Sequence, residues 1–346
     1  MTAAFNPSAT AMFREAEEGA ATVARFTDTN AVALRRIGAR LRDRAPACVV
    51  TVGRGSSDHA ATYGKYVFET LTGVPTATAA LSVASIFARR PAIVPGSLCV
   101  AISQSGQSPD LVAGAKAYRD AGAFVVALVN NTDSPLAELA DEVLPLMAGP
   151  ERSVAATKSC IASLAGLAAL AAAWSGEKAL DAGLACLPED LSRAFALDWS
   201  AALDLPGDRA NLFVLGRGYS YGVAQEAALK LKETCGLHAE SFSAAEVKHG
   251  PMAIVRDGFP VLALATSDAA GDMVRQVAGE FAGRGARVML ADSAGGPAAL
   301  PTIRAEPMLE PILMLQSFYR FANALSLSRG FDPDTPPFLN KVTETA

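Results

Sequence analysis

The sequence has few of the residues that bind metals, form disulfides or contact nucleic acid. Only three histidines occur among 346 residues, and the five cysteines are isolated, mostly in apolar segments, without the spacing of a metal site. Lys and Arg number 30 against 35 Asp and Glu, the formal charge is -5, and basic runs are lacking. Nucleic-acid affinity depends on clustered cations that release counterions. We therefore expect no nucleic-acid partner, no metal, and reduced cysteines in a cytoplasmic protein.

The sequence also lacks a secretion signal and a clear membrane span. Its N-terminus has no basic start followed by an apolar stretch. The most membrane-like stretch, 154–174, is rich in alanine and interrupted by Lys158. This pattern favours a buried helix over a membrane-spanning one. We therefore predict no membrane partner.

What the sequence does contain is a repeat. An apolar run at 48–52 leads into Gly53-Arg54-Gly55, and another at 212–215 leads into Gly216-Arg217-Gly218. Each turn is followed by a helical stretch, a second apolar run ending in a serine, another helix and a third apolar run. Alternating strands and helices predict a parallel sheet covered by helices on both faces. The predicted fold class is α/β, with two copies of one doubly wound, flavodoxin-like unit.

Breaks in this pattern divide the chain into four predicted regions. These are a helical lead-in at 1–45, a first α/β domain at 46–180, a second at 181–330 and a C-terminal tail at 331–346. The last helix of the second domain is predicted to be amphipathic and to run from about residue 311 to residue 328. Three prolines predict an extended tail, because proline removes backbone donors and biases its neighbours away from helix.

Serines cluster after two strands of the first predicted domain. Ser56 and Ser57 follow one strand, and the sequence Ser-Gln-Ser-Gly-Gln-Ser at 103–108 follows another. Ligands of parallel sheets bind beyond the carboxyl ends of the strands, where backbone N–H groups and helix N-termini favour a phosphate dianion. The simpler interpretation is that these serines only cap helices. Two such turns in one domain favour phosphate binding.

The second predicted domain carries charged residues instead. Glu226, Lys230 and Glu233 have the spacing of one helix face, which on a solvated helix would form ordinary ion pairs. His249 precedes a Gly-Pro pair that stops a helix, where it could act as a general acid or base or only cap the helix. Lys341 is either a solvated charge on the tail or an amine that the tail folds over a pocket.

These segments resemble the sugar isomerase, or SIS, family, most closely the isomerase half of glucosamine-6-phosphate synthase. The resemblance covers nearly the whole chain, and its most specific signatures are Ser103-Gln104-Ser105-Gly106 and, later, Lys248-His249-Gly250-Pro251. It implies two tandem SIS domains. It also implies that a sugar phosphate is held by Ser56, Ser57, Ser103, Gln104, Ser105 and Ser108, with Val154 in a loop beside it.

The resemblance implies catalytic roles as well. Glu233 would carry a proton between C1 and C2, with Lys230 next to it, and Lys341 would form an imine with the ketose. His249 would open the sugar ring from the partner subunit, so the family arrangement implies a homodimer with shared active sites. Departures such as Ser108 in place of threonine bear on substrate detail more than on phosphate binding.

The expected function follows from these roles. The synthase takes ammonia from glutamine through an N-terminal domain with a cysteine nucleophile, whereas this sequence starts at Met1 and its first cysteine is Cys48. We therefore expect the reverse chemistry, conversion of glucosamine 6-phosphate to fructose 6-phosphate and ammonia without a cofactor. A deglycase for phosphorylated fructosyl-amines and an aldose-ketose phosphate isomerase are alternatives with the same catalytic residues. A non-catalytic sugar-phosphate sensor is disfavoured, because all four catalytic residues are present together.

Overall fold

The computed structural model describes residues 6–296 and 300–341. Its helices are α1 (Ala11–Glu17), α2 (Gly19–Asp43), α3 (Ser56–Thr72), α4 (Leu81–Ser85), α5 (Pro109–Asp120), α6 (Pro135–Leu139), α7 (Lys158–Ser175), α8 (Lys178–Ala196), α9 (Tyr219–Cys235), α10 (Ala269–Ala282) and α11 (Glu310–Ser328). Its strands are β1 (Val49–Val52), β2 (Thr76–Thr78), β3 (Leu98–Ser103), β4 (Phe124–Val129), β5 (Glu142–Pro145), β6 (Asn211–Gly216), β7 (His238–Ser243), β8 (Pro260–Ala265) and β9 (Arg287–Asp292).

The described chain forms two compact units that alternate along the sequence. The first-sheet unit comprises Ala21–Pro150 and Ser159–Ala185, and the second-sheet unit comprises 6–20, Glu151–Lys158 and Cys186–Lys341. The loop Glu151–Lys158 therefore belongs to the unit of the later strands. The linear division at residues 45, 180 and 330 stays a prediction.

The first-sheet unit contains five parallel strands in the order β2-β1-β3-β4-β5. The strands β1, β3 and β4 are buried along their whole length, as a parallel sheet with helices on both faces requires. The strand order reverses direction between β1 and β3. In sheets of this order, ligands bind at that switch point, so the turns after β1 and β3 are the first place to look for a site.

The second-sheet unit repeats this arrangement with four parallel strands in the order β7-β6-β8-β9. The turn before α3 contains Gly55 with φ 53° and ψ -126°, and the turn before α9 contains Gly218 with φ 58° and ψ -125°. Only glycine adopts this backbone region readily. Both helices have 17 residues. The predicted α/β fold with two copies of one unit is therefore confirmed.

The structure tests the sequence-based expectations for two core helices, α7 and α11. Helix α7 is long and apolar enough to cross a membrane, but 83% of its apolar window is buried inside the protein, which is typical of a core helix. Helix α11 begins one residue before the expected position, and sixteen of its 19 residues are buried. The prediction of an amphipathic α11 is wrong, because this helix packs on both α1 and α9 and is enclosed within its unit.

Candidate functional site

The serine-rich turns of the first-sheet unit lie at its switch point. Helix α3 begins at Ser56 directly after the β1 turn, and the second turn runs from the end of β3 to Pro109. Since β1 and β3 are paired and parallel, both turns lie at the same edge of the sheet. The structure therefore brings together the predicted phosphate-binding residues of this unit. Ser103 is buried, and the others are partly exposed: Ser56, Ser57, Gln104, Ser105 and Ser108.

Hydrogen bonds within the second turn fix its shape. The Ser103 hydroxyl accepts a hydrogen bond from the backbone N–H of Gly106 at 2.9 Å, and the Ser105 hydroxyl accepts one from Gln107 at 3.3 Å. Ser108 is the N-cap residue of α5, yet within the described chain its side chain makes no capping hydrogen bond. Helix capping therefore does not account for the hydroxyl of Ser108.

An ion pair connects the two turns. Arg54 from the first turn donates to Asp110 Oδ2 through Nε at 2.9 Å and Nη2 at 2.6 Å. The Asp110 side chain is fully buried at the start of α5. Because the backbone N–H of Leu111 also donates to Asp110 at 2.8 Å, the carboxylate is well satisfied and holds the turns in a fixed relation.

A second carboxyl group in this region was not predicted from the sequence. Asp58 follows Ser57 in the first turn of α3, and its Oδ1 is buried without a hydrogen-bond partner among the described residues. Burial raises the pKa of Asp58 above its ordinary value, and the nearby charges of His59 and Arg54 oppose this rise. This carboxyl group has no recognisable sequence signal, since an acidic residue in a first helical turn is ordinary.

The charged residues of α9 form a buried cluster in the second-sheet unit. Lys230 is 1% exposed and forms ion pairs with both Glu226, at 3.5 Å, and Glu233. Tyr319 on α11 donates a hydrogen bond to Glu226 Oε1 at 3.1 Å. The interpretation as a solvated ladder of ion pairs is therefore wrong, because a buried ammonium group is tolerated only with such paired acceptors.

His249 occupies a different environment. It caps a 3-10 helix formed by Glu246–Lys248, and its side chain is exposed. In the described ranges its imidazole has no hydrogen-bond or ion-pair partner, whereas the preceding Lys248 pairs with Glu280 at 2.7 Å. The structure thus brings Lys230 and Glu233 together but leaves His249 facing solvent.

The tail meets the loop that contains Val154. Lys341 Nζ donates to the backbone carbonyl of Ser153 at 2.7 Å and to Glu151 Oε2 at 3.2 Å. The side chain of Glu151 is fully buried and also accepts from the backbone N–H of Thr157 at 3.0 Å. Val154, partly exposed, lies between these contacts. The predicted tail residues 342–346 lie outside the described residues.

Two further carboxylates hold the same loop and tail. Glu15 on α1 accepts hydrogen bonds from the backbone N–H groups of Arg152 and Ser153. Asp334 in the tail accepts from the first N–H groups of α1, those of Ala11 and Met12, both at 2.7 Å. Neither carboxylate was predicted to have a role. Their partners are backbone groups far away in sequence, so no local pattern could reveal them.

The described ranges, 6–296 and 300–341, contain no group of three His, Cys, Asp or Glu side chains placed to hold one metal ion.

Comparison with known proteins identifies the family. The SIS domain model matches residues 46–173 and 208–308, more than half of the chain. The chain therefore belongs to the SIS domain family. A protein from Silicibacter pomeroyi, provisionally assigned as a phosphosugar isomerase, has 43% sequence identity and a TM-score of 0.88, over 94% of this chain and 100% of that one. This chain and the Silicibacter pomeroyi protein are therefore similar along nearly their whole lengths.

Two further relatives are matched over different shares of their own length. The glutamine--fructose-6-phosphate aminotransferase of Symbiobacterium thermophilum is 34% identical over 336 residues, which cover 90% of this chain and 54% of that protein. This chain thus spans about half the length of the curated relatives it matches. The glucosamine-6-phosphate deaminase of Thermotoga maritima has a TM-score of 0.78 over 97% of this chain and 100% of that one. At 22% identity, this likeness shows the fold alone.

Proposed function

We propose that this protein converts glucosamine 6-phosphate and water to fructose 6-phosphate and ammonia. The observation that carries the proposal is the partly exposed carboxylate of Glu233, paired with the buried Lys230. A carboxylate in this setting suits proton transfer between neighbouring carbons of a sugar. The 34% identity to an isomerizing glutamine--fructose-6-phosphate aminotransferase supports isomerisation of an amino-sugar phosphate.

The phosphate group is held by the serine-rich turns of the first-sheet unit. Hydroxyls and backbone N–H groups at the switch point suit a dianion, because the donors and the helix N-termini both favour negative charge. The residues proposed for this role are Ser56, Ser57, Ser103, Gln104, Ser105 and Ser108, with Val154 beside the sugar.

Proton transfers then convert the amino aldose to a ketose imine. His249, supplied by the partner subunit of a homodimer, moves a proton between the ring oxygen and O1 to open the ring. Glu233 removes the proton from C2 and returns it to C1, while the amine nitrogen loses a proton and O1 gains one. This leaves a hydroxyl group at C1 and a C=N bond at C2. The exposure of the His249 side chain supports its use by a second subunit.

Lys341 releases the ammonia. Its amine attacks C2 of the ketose imine, ammonia leaves with the proton it needs, and a new imine joins Lys341 to C2. Water then hydrolyses this imine to fructose 6-phosphate and the free lysine. Glu151, at 3.2 Å from the lysine nitrogen, can accept the proton that the ammonium group must lose before it attacks.

The test is product formation from purified protein. Glucosamine 6-phosphate, galactosamine 6-phosphate and a phosphorylated fructosyl-amino acid are supplied separately, and ammonia, ketose phosphate and free amino acid are measured. Equal amounts of ammonia and fructose 6-phosphate from the first substrate would support the deaminase. Release of the free amino acid from the fructosyl-amino acid, with no ammonia from either amino sugar, would establish a deglycase instead. Aldose-ketose interconversion without ammonia would indicate a plain isomerase, and binding without turnover would indicate a sensor.

A further inference from the structure

The registers of the two sheets identify corresponding serines. In the first sheet Val52 pairs with Ala101, and in the second Leu215 pairs with Ala263. Val52 is the last residue of β1, and Leu215 is the last residue but one of β6. Each directly precedes a Gly-Arg-Gly sequence. Four residues beyond Ala101 lies Ser105, and four residues beyond Ala263 lies Ser267. Ser267 is therefore the counterpart of a proposed phosphate-binding serine.

In the second-sheet unit this counterpart binds a carboxylate of the chain itself. Ser267 donates its backbone N–H to Glu310 Oε2 at 2.7 Å and its hydroxyl to Glu310 Oε1 at 2.8 Å. The backbone N–H of Ala305 also donates to Oε1, at 3.3 Å. Glu310 is 0% exposed, so it is enclosed in the turn.

The donors around Glu310 are those that an oxyanion requires. Backbone N–H and hydroxyl groups in a turn before a helix accept phosphate or carboxylate alike, since both place negative oxygens against the donors. Burial raises the pKa of Glu310, and the hydrogen bonds from Ser267 oppose the rise. Asp268 next to this turn caps α10 by accepting from Gly271 at 3.0 Å, so a further anion would meet a second carboxylate.

The other turn of this unit is also used internally. Ser220 lies two residues after Gly218, as Ser57 lies two residues after Gly55. Its hydroxyl donates to the backbone carbonyl of Leu264 at 2.9 Å and it is fully buried, whereas Ser57 is partly exposed. Ser220 and Ser267 therefore both form hydrogen bonds with groups of the protein itself.

We propose that Glu310 is a built-in anion filling the second sheet's counterpart of the phosphate site. Each chain then binds one sugar phosphate, and removal of the carboxylate leaves an oxyanion site at Ser267. The comparison with Ser105 rests on the phosphate site of the proposed function, whereas the contacts of Glu310 do not. The second sheet is thereby closed to phosphate.

The test counts inorganic phosphate sites by titration calorimetry on the full chain. We expect one site per chain in the wild type, two in Glu310→Ala and one in Glu310→Gln, whose amide still fills the turn. Adding Ser57→Ala and Ser105→Ala to Glu310→Ala should leave one site. This triple variant separates the two proposals: a wild type without any site would overturn the phosphate site of the proposed function, not the role of Glu310.

Formate provides a second measurement, because it can replace the missing carboxylate. It should raise the melting temperature of Glu310→Ala by about 2 °C or more beyond its effect on the wild type. Glu240→Ala, which removes an exposed carboxylate, is the control and should respond like the wild type. If Glu310→Ala does not fold in buffer, refolding with formate or phosphate should restore it. A Glu310→Ala protein that gains neither a site nor stability, or is not restored, overturns the proposal.

Discussion

Lys230 forms an ion pair with Glu233 in which the ammonium side chain is 1% exposed and the carboxylate side chain is 21% exposed. A second partner of Lys230, Glu226, is 1% exposed and accepts a hydrogen bond from Tyr319. Of the two carboxylates, therefore, only that of Glu233 is open to a substrate. Glu226 serves as the enclosed counter-ion, which lets Lys230 remain charged without depending on Glu233 alone.

Replacing Glu233 with glutamine should remove proton transfer and preserve binding. We expect Glu233→Gln to lower kcat by about 100-fold to 10,000-fold, because an amide of the same shape cannot carry the proton. Its affinity for inorganic phosphate should stay within about twofold of the wild type, since the phosphate turns are untouched. Glu240 is an exposed carboxylate on β7, and the control variant Glu240→Gln should retain full turnover. Full turnover by Glu233→Gln would contradict the mechanism.

Replacing Lys341 with arginine should abolish imine formation. Wild-type protein treated with fructose 6-phosphate and borohydride should gain the mass of the reduced sugar at Lys341, detected by peptide mass spectrometry. Lys341→Arg keeps the charge that contacts Glu151 and should show no adduct. Lys232→Arg, on the exposed side of α9, is the matched control and should be labelled like the wild type. An undiminished adduct in Lys341→Arg would exclude this lysine as the imine former.

Most of the fold could be predicted because its signals are local. Buried parallel strands such as β3, β4 and β8 appear in the sequence as apolar runs, and Gly-Arg-Gly turns mark the ends of β1 and β6. The edge strands β2, β5 and β7 were missed. They are short or polar, as in His238–Ser243, and a sheet edge tolerates such residues because only part of the strand is buried.

The candidate site could be predicted only in part, because only some of its features have a local signal in the sequence. The serine turns and the spacing of Lys230 and Glu233 are visible in the sequence. The burial of Lys230 is not, because α11 packs on α9 from a distant part of the sequence, and its Tyr319 donates a hydrogen bond to Glu226, 93 residues away. The position of Lys341 against the Glu151 carboxylate likewise depends on contacts between distant segments. Local periodicity gives no information about such contacts.

Asp334 should stabilise the protein through the start of α1. Its carboxylate accepts hydrogen bonds from the N–H groups of Ala11 and Met12, which have no partner within the helix. Asp334→Ala should lower the free energy of unfolding by about 1–2 kcal/mol, measured by urea denaturation. Asp334→Asn should lose less, because an amide oxygen can still accept one hydrogen bond. Equal stability of Asp334→Ala and the wild type would show that these contacts contribute nothing.

Asp58 should make stability depend on pH, and the direction follows from its pKa. Burial raises this pKa in the folded protein above the ordinary value of 3.8. The folded state therefore binds the proton more tightly than the unfolded state. The resulting stability is fully present below the unfolded pKa and is lost as the pH rises through the folded pKa.

Asp58→Asn should escape this loss, because the amide is neutral at every pH. The free energy of unfolding of Asp58→Asn relative to wild type should rise as the pH passes upward through the window above 3.8 and then level off. At neutral pH we expect a gain of about 1 kcal/mol, since a buried oxygen without a partner, Oδ1, is costly when charged. Asp208→Asn, an exposed site, controls for the loss of one negative charge. If the stability of Asp58→Asn relative to the wild type instead falls with rising pH, the fold stabilises the charged carboxylate of Asp58. The description of Oδ1 as buried without a partner would then be wrong.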